Sequence, residues 1–540
     1  MILIVCESIR TTKTVAQAMG ANIETSEGIF ASSQYTVAHI PARFIRQTPL
    51  SEMTEGAYPF IPEKFKMSVT MKELDRELKP LFREAEEVVF ASDGGADAQA
   101  RFFNICRHFR VGQPRSRMWL NRLCYGAIRG AFFHRESGRH LHRLAQTGLV
   151  SKGMNLLFTY NIDQAFLHIG LPACHLPRQE AIALEYIGDI CTRYDYDSQS
   201  GYSVQVNVNS GDRYESQTVW EDEADADADA VCATLPIGST VPATMTVAET
   251  DGYNIRFHNL LTLQMDAFNN LGFLPGRTTQ LAQALYEKGY ISSPLTANSH
   301  LPEALHGHLQ TVFAEMPGYK WGNNGATLDD HAIITLRAAE DDLTTKEYQL
   351  YRLIFNRMKA VVEQAPSRKF ATIEFKVGEI TFSRRWEVTG EAYEVTETGS
   401  FQTELEIKDA GVYPCDAAPA PSCEVADILC NLTGRIEFVD DMMHTNVPFT
   451  KSINDYGIVI SNLIGKKLIS VELGNEIYLT PEGHDVYEEL SGRGITESLL
   501  TWQFEANDLY EGDQTGNGVI AGFSGSLLQM VEIIDPETGI

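Results

Sequence analysis

The sequence predicts a multidomain chain that joins an α/β unit to separate α and β segments, and three observations carry that prediction. Strand-like and helix-like stretches alternate through the first 150 residues. ILIVCES is the branched apolar run of a buried strand, and a helix follows over 14–19. EVVFASD over 87–93 reads as a further strand, leading through the turn DGGADAQ into a helix over 99–109. Such strand–loop–helix units build a parallel sheet whose ligand site lies at the strands' C-terminal ends, where Glu7 and Asp93 stand. The second observation is a change of period. YSVQVNVNS, SQTVWED and ATMTVAET within 201–258 alternate with period two, and the same texture returns in 370–410 after a mostly helical block over 261–365. A β segment interrupted by helices predicts domains that are discontinuous in sequence. Third, 540 residues suffice for roughly three or four domains with large cores. The remaining stretches are helices over 150–199, a Pro/Ala linker YPCDAAPAPS at 413–422, and helices with a wing-like hairpin, KKLISVELGNEIYLT, within 424–490.

Composition narrows the class. Apolar residues make up 44% of the chain, and the mean hydropathy of -0.18 predicts a soluble globular protein. No run of eighteen apolar residues occurs, so no membrane span or membrane partner is expected. The apolar start is too short for a secretory signal. Nine scattered cysteines form no CxxC pair, which predicts no zinc site, no disulfide framework and a reducing cytoplasm. The net charge of -28 argues against a surface that binds polyanions everywhere, but the charge is uneven. Residues 101–143 hold ten arginines, no lysine and one acid, Glu136, interleaved with Phe102, Phe103, Phe109, Trp119, Tyr125, Phe132 and Phe133. Arginine with aromatics suits phosphate contact and base stacking, and equally suits pairing with acids elsewhere in an acidic protein. At the other extreme, EDEADADADA over 221–230 reads as a solvated, mobile loop.

Several separated stretches, in a constant order, resemble the type IA DNA topoisomerases, most of all topoisomerase III. IVCESIRTTKTVAQAMG resembles that family's TOPRIM strand and helix, and FASDGGADAQARFF sits where the family has T-D-x-D-x-E-G-E. RSRMWLNRLCYGAIRGAF, TLQMDAFNNLGF, TTQLAQALYEKGYISSPLT and LDDHAIITL are similar to its R-x-W-x-S-x-L-T, T-L-Q-x-D-A, A-Q-x-L-Y-E-x-G-x-I-T-Y-P-R-T and H-H-A-I-I-P-T segments. KSINDYGIVISNLIGKKLISVELGNEIYLTPEGHDVYEEL resembles its later helix–wing unit. The resemblance implies a TOPRIM α/β domain followed by a toroidal core with discontinuous domains. These are expected at 1–150 (TOPRIM-like), 151–200 with 424–500 (helical and winged-helix-like), 201–265 with 366–422 (β-rich arch) and 266–365 (helical, the nucleophile's domain), with a C-terminal extension at 501–540. It also implies single-stranded DNA binding, a tyrosine that attacks a phosphodiester, an arginine that holds the phosphate, and TOPRIM acids that hold Mg²⁺.

The departures fall on the chemistry. The nucleophile position is Ser293 and the phosphate-holding arginine position is Leu295, followed by Ala297 and Asn298. Asp93 is kept, Gly95 replaces the second acid, Asp97 stands for the first glutamate and Gln99 for the second. The resemblance therefore assigns Glu7 and His331 as surviving catalytic positions and Glu7, Asp93 and Asp97 as a weakened Mg²⁺ site, with a solvated turn capping the next helix as the plain alternative. It places Lys152, Gln179, Arg115, Arg117, Arg122, Gln264 and Gln283 along the DNA path. Tyr290, three residues early, lies outside the tolerance of in-line attack. Ser293 is shorter than tyrosine by a ring and would need a base, a task open to Glu7. For His331, phosphate contact competes with a bond to neighbouring Asp329 or Asp330.

Three function classes follow. One is a topoisomerase-like protein that binds single-stranded DNA but is deficient in cleavage. The others are an active topoisomerase using Ser293 or Tyr290, and a scaffold acting through protein contacts. Without cysteine pairs for zinc modules, activity or an extra DNA-binding domain would come from a partner chain.

Overall fold

β1 (Ile2–Cys6) lies inside a six-stranded sheet with β2 (Ile23–Ser26), β3 (Ile29–Ala31), β4 (Tyr35–His39), β7 (Glu87–Ser92) and β8 (Arg115–Trp119). The order is β2-β3-β4-β1-β7-β8, and β4, β1, β7 and β8 run parallel. In this computed structural model the described residues are 1–54, 57–194, 200–209, 211–218, 220–221, 225–250, 255–313, 326–363, 368–387, 399–416, 424–425, 427–429, 432, 456–471, 476–509 and 515–538. β1 is apolar throughout because both its faces are covered. Ile4 and Cys6 point into one core, Leu3 and Val5 into another.

The second of these cores is closed by α2 (Lys72–Glu84) and α3 (Ala96–His108), through Leu78, Phe82, Phe102 and Ile105. The first is shared with a helical unit. α1 (Ile9–Met19) and α4 (Tyr125–Phe133) cover the sheet. α8 (Leu260–Leu271), α9 (Pro275–Glu287), α10 (His306–Val312) and α11 (Thr345–Val362) add Leu263, Leu285, Leu309 and Ile354 to the same apolar mass. Helix α3 begins at Ala96, one turn before the expected 99. β5 (Ile45–Gln47) and β6 (Met67–Val69) pair with each other as a small ribbon beside this unit.

Residues 200–416 supply the second sheet: β9 (Ser200–Val208), β10 (Arg213–Ser216), β11 (Trp220–Glu221), β12 (Thr240–Thr250), β13 (Arg368–Val377), β14 (Ile380–Glu387) and β15 (Gly399–Asp416). Its order is β10-β14-β13-β12-β15-β9-β11, and β10 also pairs with β9. Six strands therefore close into an antiparallel ring, which leaves β11 as an appendage and removes most free edges. Val204, Val206, Tyr214, Phe375, Phe382 and Ile407 fill it, and a bulge between Ile407 and Asp409 bends the long β15. The acidic stretch at 221–230 departs from expectation. α7 (Asp225–Thr234) takes up its second half and packs against β9 and β15, while 222–224 lie outside the described residues. Ala228, buried in the core of the ring, anchors it there. Of the expected linker, 413–416 belong to β15 and 417–422 lie outside the described residues.

The largest core joins α5 (Arg139–His168), α6 (Arg178–Tyr194), α12 (Tyr456–Gly465), the wing β16 (Ile469–Val471) and β17 (Ile477–Leu479), α13 (Pro481–Leu490), α14 (Ile495–Asp508) and α15 (Gly516–Ile534). The boundary expected at 150 falls inside α5, which runs through it unbroken. α15 is long and apolar enough to cross a membrane by length and composition. Its Val519, Phe523, Leu527, Met530 and Val531 are spent on this core, packed along α5.

Candidate functional site

The turn after β7 and the segment after α9 meet at Ser293. Helix α9 ends at a left-handed Gly289, and the chain then runs buried from Tyr290 to Pro294. This stretch is a rivet between two units. Ser292 Oγ donates to the Ala332 carbonyl and accepts from the Ile334 amide at 3.0 Å, while the Ser293 amide donates to the Asn121 carbonyl at 2.7 Å. Ser293 Oγ donates to Asp93 Oδ2 at 3.0 Å and accepts from the Leu295 amide at 3.2 Å. Asp93 takes the place proposed for Glu7 as the carboxylate facing Ser293. Asn121, which carries the Ser293 backbone, stands at the serine position of the R-x-W-x-S-x-L-T segment, a replacement that the sequence reading did not single out.

Glu7 is committed elsewhere. Its Oε1 accepts from Arg101 Nε at 2.5 Å and its Oε2 from Arg101 Nη2 at 3.2 Å. The same guanidinium pairs with Asp97 Oδ2, and Lys152 reaches from α5 to Asp97 Oδ1 at 2.6 Å. All four carboxylate oxygens of Glu7 and Asp97 thus face nitrogen cations. The sequence carried a signal for this, since Arg101 follows Asp97 by four residues on one helix face. Mg²⁺ requires oxygen ligands at about 2.1 Å, and no group of three His, Cys, Asp or Glu is poised to hold a metal among the described residues. The residues present do not fit the ion unless Arg101 withdraws. The plain alternative fails as well: Gly95 occupies the N-cap of α3 and no side chain caps it.

Arg117 corrects the reading of the basic stretch. It is fully buried, its guanidinium 3.5 Å from the centre of the Trp119 ring. Nη1 donates to Gln99 Oε1 at 2.7 Å and Nη2 to the Gly94 carbonyl. It therefore holds the acidic turn from within and offers nothing to a ligand. Burial pulls its pKa down to about 9, opposed by Glu7, Asp93 and Glu136, so it stays charged at neutral pH. Arg135 is half-buried and likewise committed to an acid, clamping Glu87 with two bonds of 2.8 and 2.9 Å. Gln264 is also buried and donates to Thr279 at 2.9 Å, in van der Waals range of the Gly457 backbone, so it is packing and not a DNA contact. Lys152 is partly exposed but engaged with Asp97. Arg115 is exposed, and Gln179 and Gln283 are half-buried on α6 and α9.

Tyr290 and His331 are settled by burial. The Tyr290 ring is fully buried and its hydroxyl donates to Asp342, while Arg337 lies over its face at 3.9 Å. Burial and that bond push the phenol up to about 12, so it is held neutral and away from Ser293's position. His331 is buried, and its Nδ1 donates to the Ala332 carbonyl at 2.8 Å, not to Asp329 or Asp330. Burial pushes its pKa down to about 3. Its Nε2 and the Nε of nearby Arg122 are enclosed and without hydrogen-bond partners among the described residues.

Burial pushes the Asp93 carboxyl up to about 6, against the lowering bond from Ser293; Glu7 adds to the rise. A raised carboxyl pKa makes the folded state bind the extra proton between pH 3.8 and 6, so stability falls as pH rises through that window. Asp93→Asn keeps the acceptor and removes the charge. Its stability relative to wild type is expected to grow by about 1–3 kcal/mol between pH 4 and pH 7.5. Urea midpoints of both proteins across pH check this, and a difference that does not change with pH would contradict it.

Comparisons with known proteins agree with this architecture. A family model described as DNA topoisomerase matches residues 192–399, a span that includes Ser293. A DNA topoisomerase 3 of Staphylococcus saprophyticus is 21% identical, covering 93% of this chain and 77% of its own length. A DNA topoisomerase 1 of Alkalihalophilus pseudofirmus is 23% identical over 60% of this chain, and one of Mycolicibacterium smegmatis is 22% identical over 70%. The chain spans about half the length of these two relatives, 51% and 45%. The solved full-length topoisomerase I of Thermotoga maritima superposes with a TM-score of 0.66 at 16% identity, covering 99% of this chain and 90% of that one, and so shares the fold.

Proposed function

The chain belongs to the type IA DNA topoisomerase family and has its multidomain toroidal fold, and from that premise we propose that it binds single-stranded DNA without cleaving it. The observation that carries this reading is the state of the residues at the cleavage position. Ser293 is buried and bonded to Asp93, Leu295 supplies no guanidinium, and Tyr290 is locked to Asp342. Attack on a phosphodiester requires an exposed, activated oxygen within about 3.5 Å of phosphorus, and none of these side chains offers one.

Binding is supported by what stays accessible. Tyr125 and Phe133 on α4 are 65% and 67% exposed, with Arg129 about equally close to both rings at 5.7 Å. Rings and a cation at this spacing suit stacked bases and a backbone. Arg107, Arg110, Arg115 and Arg139 are exposed on the same unit, and the half-buried Arg122 adjoins Asn121 beside the rivet. Cys6, Cys106, Cys124, Cys174, Cys191 and Cys232 are free thiols, which suits a cytoplasmic setting.

One observation favours an active reading. The Ser293 hydroxyl already donates to a carboxylate, as a nucleophile with its base would. Incubation with a labelled oligonucleotide, stopped with denaturant, separates the two. Binding without a covalent adduct is expected; an adduct abolished by Ser293→Ala overturns the proposal. In the same assay, Arg122→Ala is expected to weaken binding uniformly across sequences and to reduce the slope of log affinity against log salt by about one. Binding absent even at low salt would point instead to a scaffold acting through protein contacts.

A further inference from the structure

Three carboxylates, Glu7, Asp93 and Asp97, gather at the C-terminal ends of β1 and β7 and the start of α3. Such a gathering is unfavourable unless a cation lies among the acids. Here the chain supplies its own. Arg101 extends from the second turn of α3 back over the acids, with one nitrogen on each Glu7 oxygen and another on Asp97. Its side chain is only 23% exposed, so the guanidinium is a fixed part of the site and not a surface charge swinging past it. Lys152 on α5 takes the remaining Asp97 oxygen. Arg117 closes the same cradle from below through Gln99 and the Gly94 carbonyl. The two outer cations arrive from different helices, brought together because α3 and α5 cross at Gly148, whose missing side chain lets the Ala96 backbone approach.

We propose that Arg101, backed by Lys152, is a tethered cation that occupies this acidic cradle in place of a divalent metal ion, so that the protein folds and holds its acidic turn with no metal at all. The inference concerns cation occupancy and stands whether or not the protein binds or cleaves DNA. A planar guanidinium bonded to both oxygens of one carboxylate and to a second carboxylate neutralises much of what a divalent ion would neutralise. It also blocks the ion, because each oxygen's lone pairs are turned toward nitrogen. The reverse follows: with Arg101 shortened to an apolar side chain, Glu7 and Asp97 are left with too little positive charge and with open oxygens. A divalent ion that needs one or two carboxylates and keeps its remaining waters can then enter.

Mn²⁺ alone is the probe, read by the loss of its free electron-paramagnetic-resonance signal and by the thermal midpoint of the full chain. Wild type is expected to show no saturable site that depends on Asp97 and no Mn²⁺-dependent rise in midpoint. Arg101→Met is expected to gain one saturable site and a midpoint that climbs with Mn²⁺, and both gains should vanish in Arg101→Met combined with Asp97→Asn. Arg101→Lys, which keeps a cation but not the fork, should bind Mn²⁺ at least ten-fold more weakly than Arg101→Met. The proposal is overturned if wild type binds one Mn²⁺ that Asp97→Asn abolishes, or if folded Arg101→Met binds none. If Arg101→Met folds only when Mn²⁺ is present, the ion is standing in for the guanidinium, as proposed. If it folds with neither, Arg101 is required for packing and the proposal fails.

Discussion

Arg117→Met is expected to cost about 3–5 kcal/mol, the scale on which removing one partner of a buried charged network is felt. Methionine reaches only as far as the Nε position, so the guanidinium's stacking on Trp119 and Phe90 goes with it and a small cavity adds to the cost. What is lost is a charge and a fork of donors at zero exposure. The Gln99 carbonyl oxygen and the Gly94 carbonyl are left without their donor in a dry site, each at the penalty of an unsatisfied buried group. Asp93 and Glu7 also lose a cation that offsets their mutual repulsion, so the carboxyl of Asp93 should titrate still higher. Arg117→Lys keeps the charge without the fork and should fall between the two. Because a chain with several cores need not unfold in one step, the measurement is hydrogen exchange of the β7 and β8 amides, with the urea midpoint as the global readout. A loss below 1 kcal/mol in both would show that Arg117 is a surplus charge and not the centre of the turn.

Gly148→Ala is the second large effect. A Cβ at this position would meet the Ala96 carbonyl oxygen at 2.3 Å and the Ala100 Cβ at 2.9 Å. Both belong to α3, and the oxygen is backbone, so relief requires α3 and α5 to part. Overpacking of a rigid contact costs about 1–3 kcal/mol, and the upper end is expected here because no flexible side chain can yield. The displacement would also pull Lys152 away from Asp97, since those residues sit on the two helices that must separate. Gly130 and Gly525 are the controls. Each is helical with nothing within 4 Å of an added Cβ, so alanine there should be neutral or stabilise by up to about 1 kcal/mol. Equal thermal midpoints for Gly148→Ala and Gly130→Ala would contradict the close approach.

What could be read from the sequence was local. The run ILIVC announced a strand buried on both faces, and period two announced the β segments, because side-chain alternation leaves a direct mark on neighbouring residues. Glu7 and Asp93 could be placed at strand ends for the same reason. The replaced positions at Ser293, Leu295 and Gln99 were legible too, since they stand inside stretches whose flanks match a known pattern. EDEADADADA misled because its charge suggested a solvated loop, whereas a helix with Ala228 in the core sits on the closed ring. Tertiary contact overrides composition there.

The site itself depended on pairings that composition does not express. Glu7 meets Arg101 across 94 positions and Asp93 meets Ser293 across 200. Ten arginines in one stretch looked alike in sequence, yet the fold buries Arg117, commits Arg101 and Arg135 to acids, and leaves Arg107, Arg110, Arg115 and Arg139 at the surface. The sequence by itself determined which residue types were available and which strands and helices would form, since those follow from the steric and apolar preferences of near neighbours. Only the tertiary structure decided which cation answers which acid and which hydroxyl is enclosed, because charge pairing and burial are set by distances between segments that chain order does not constrain.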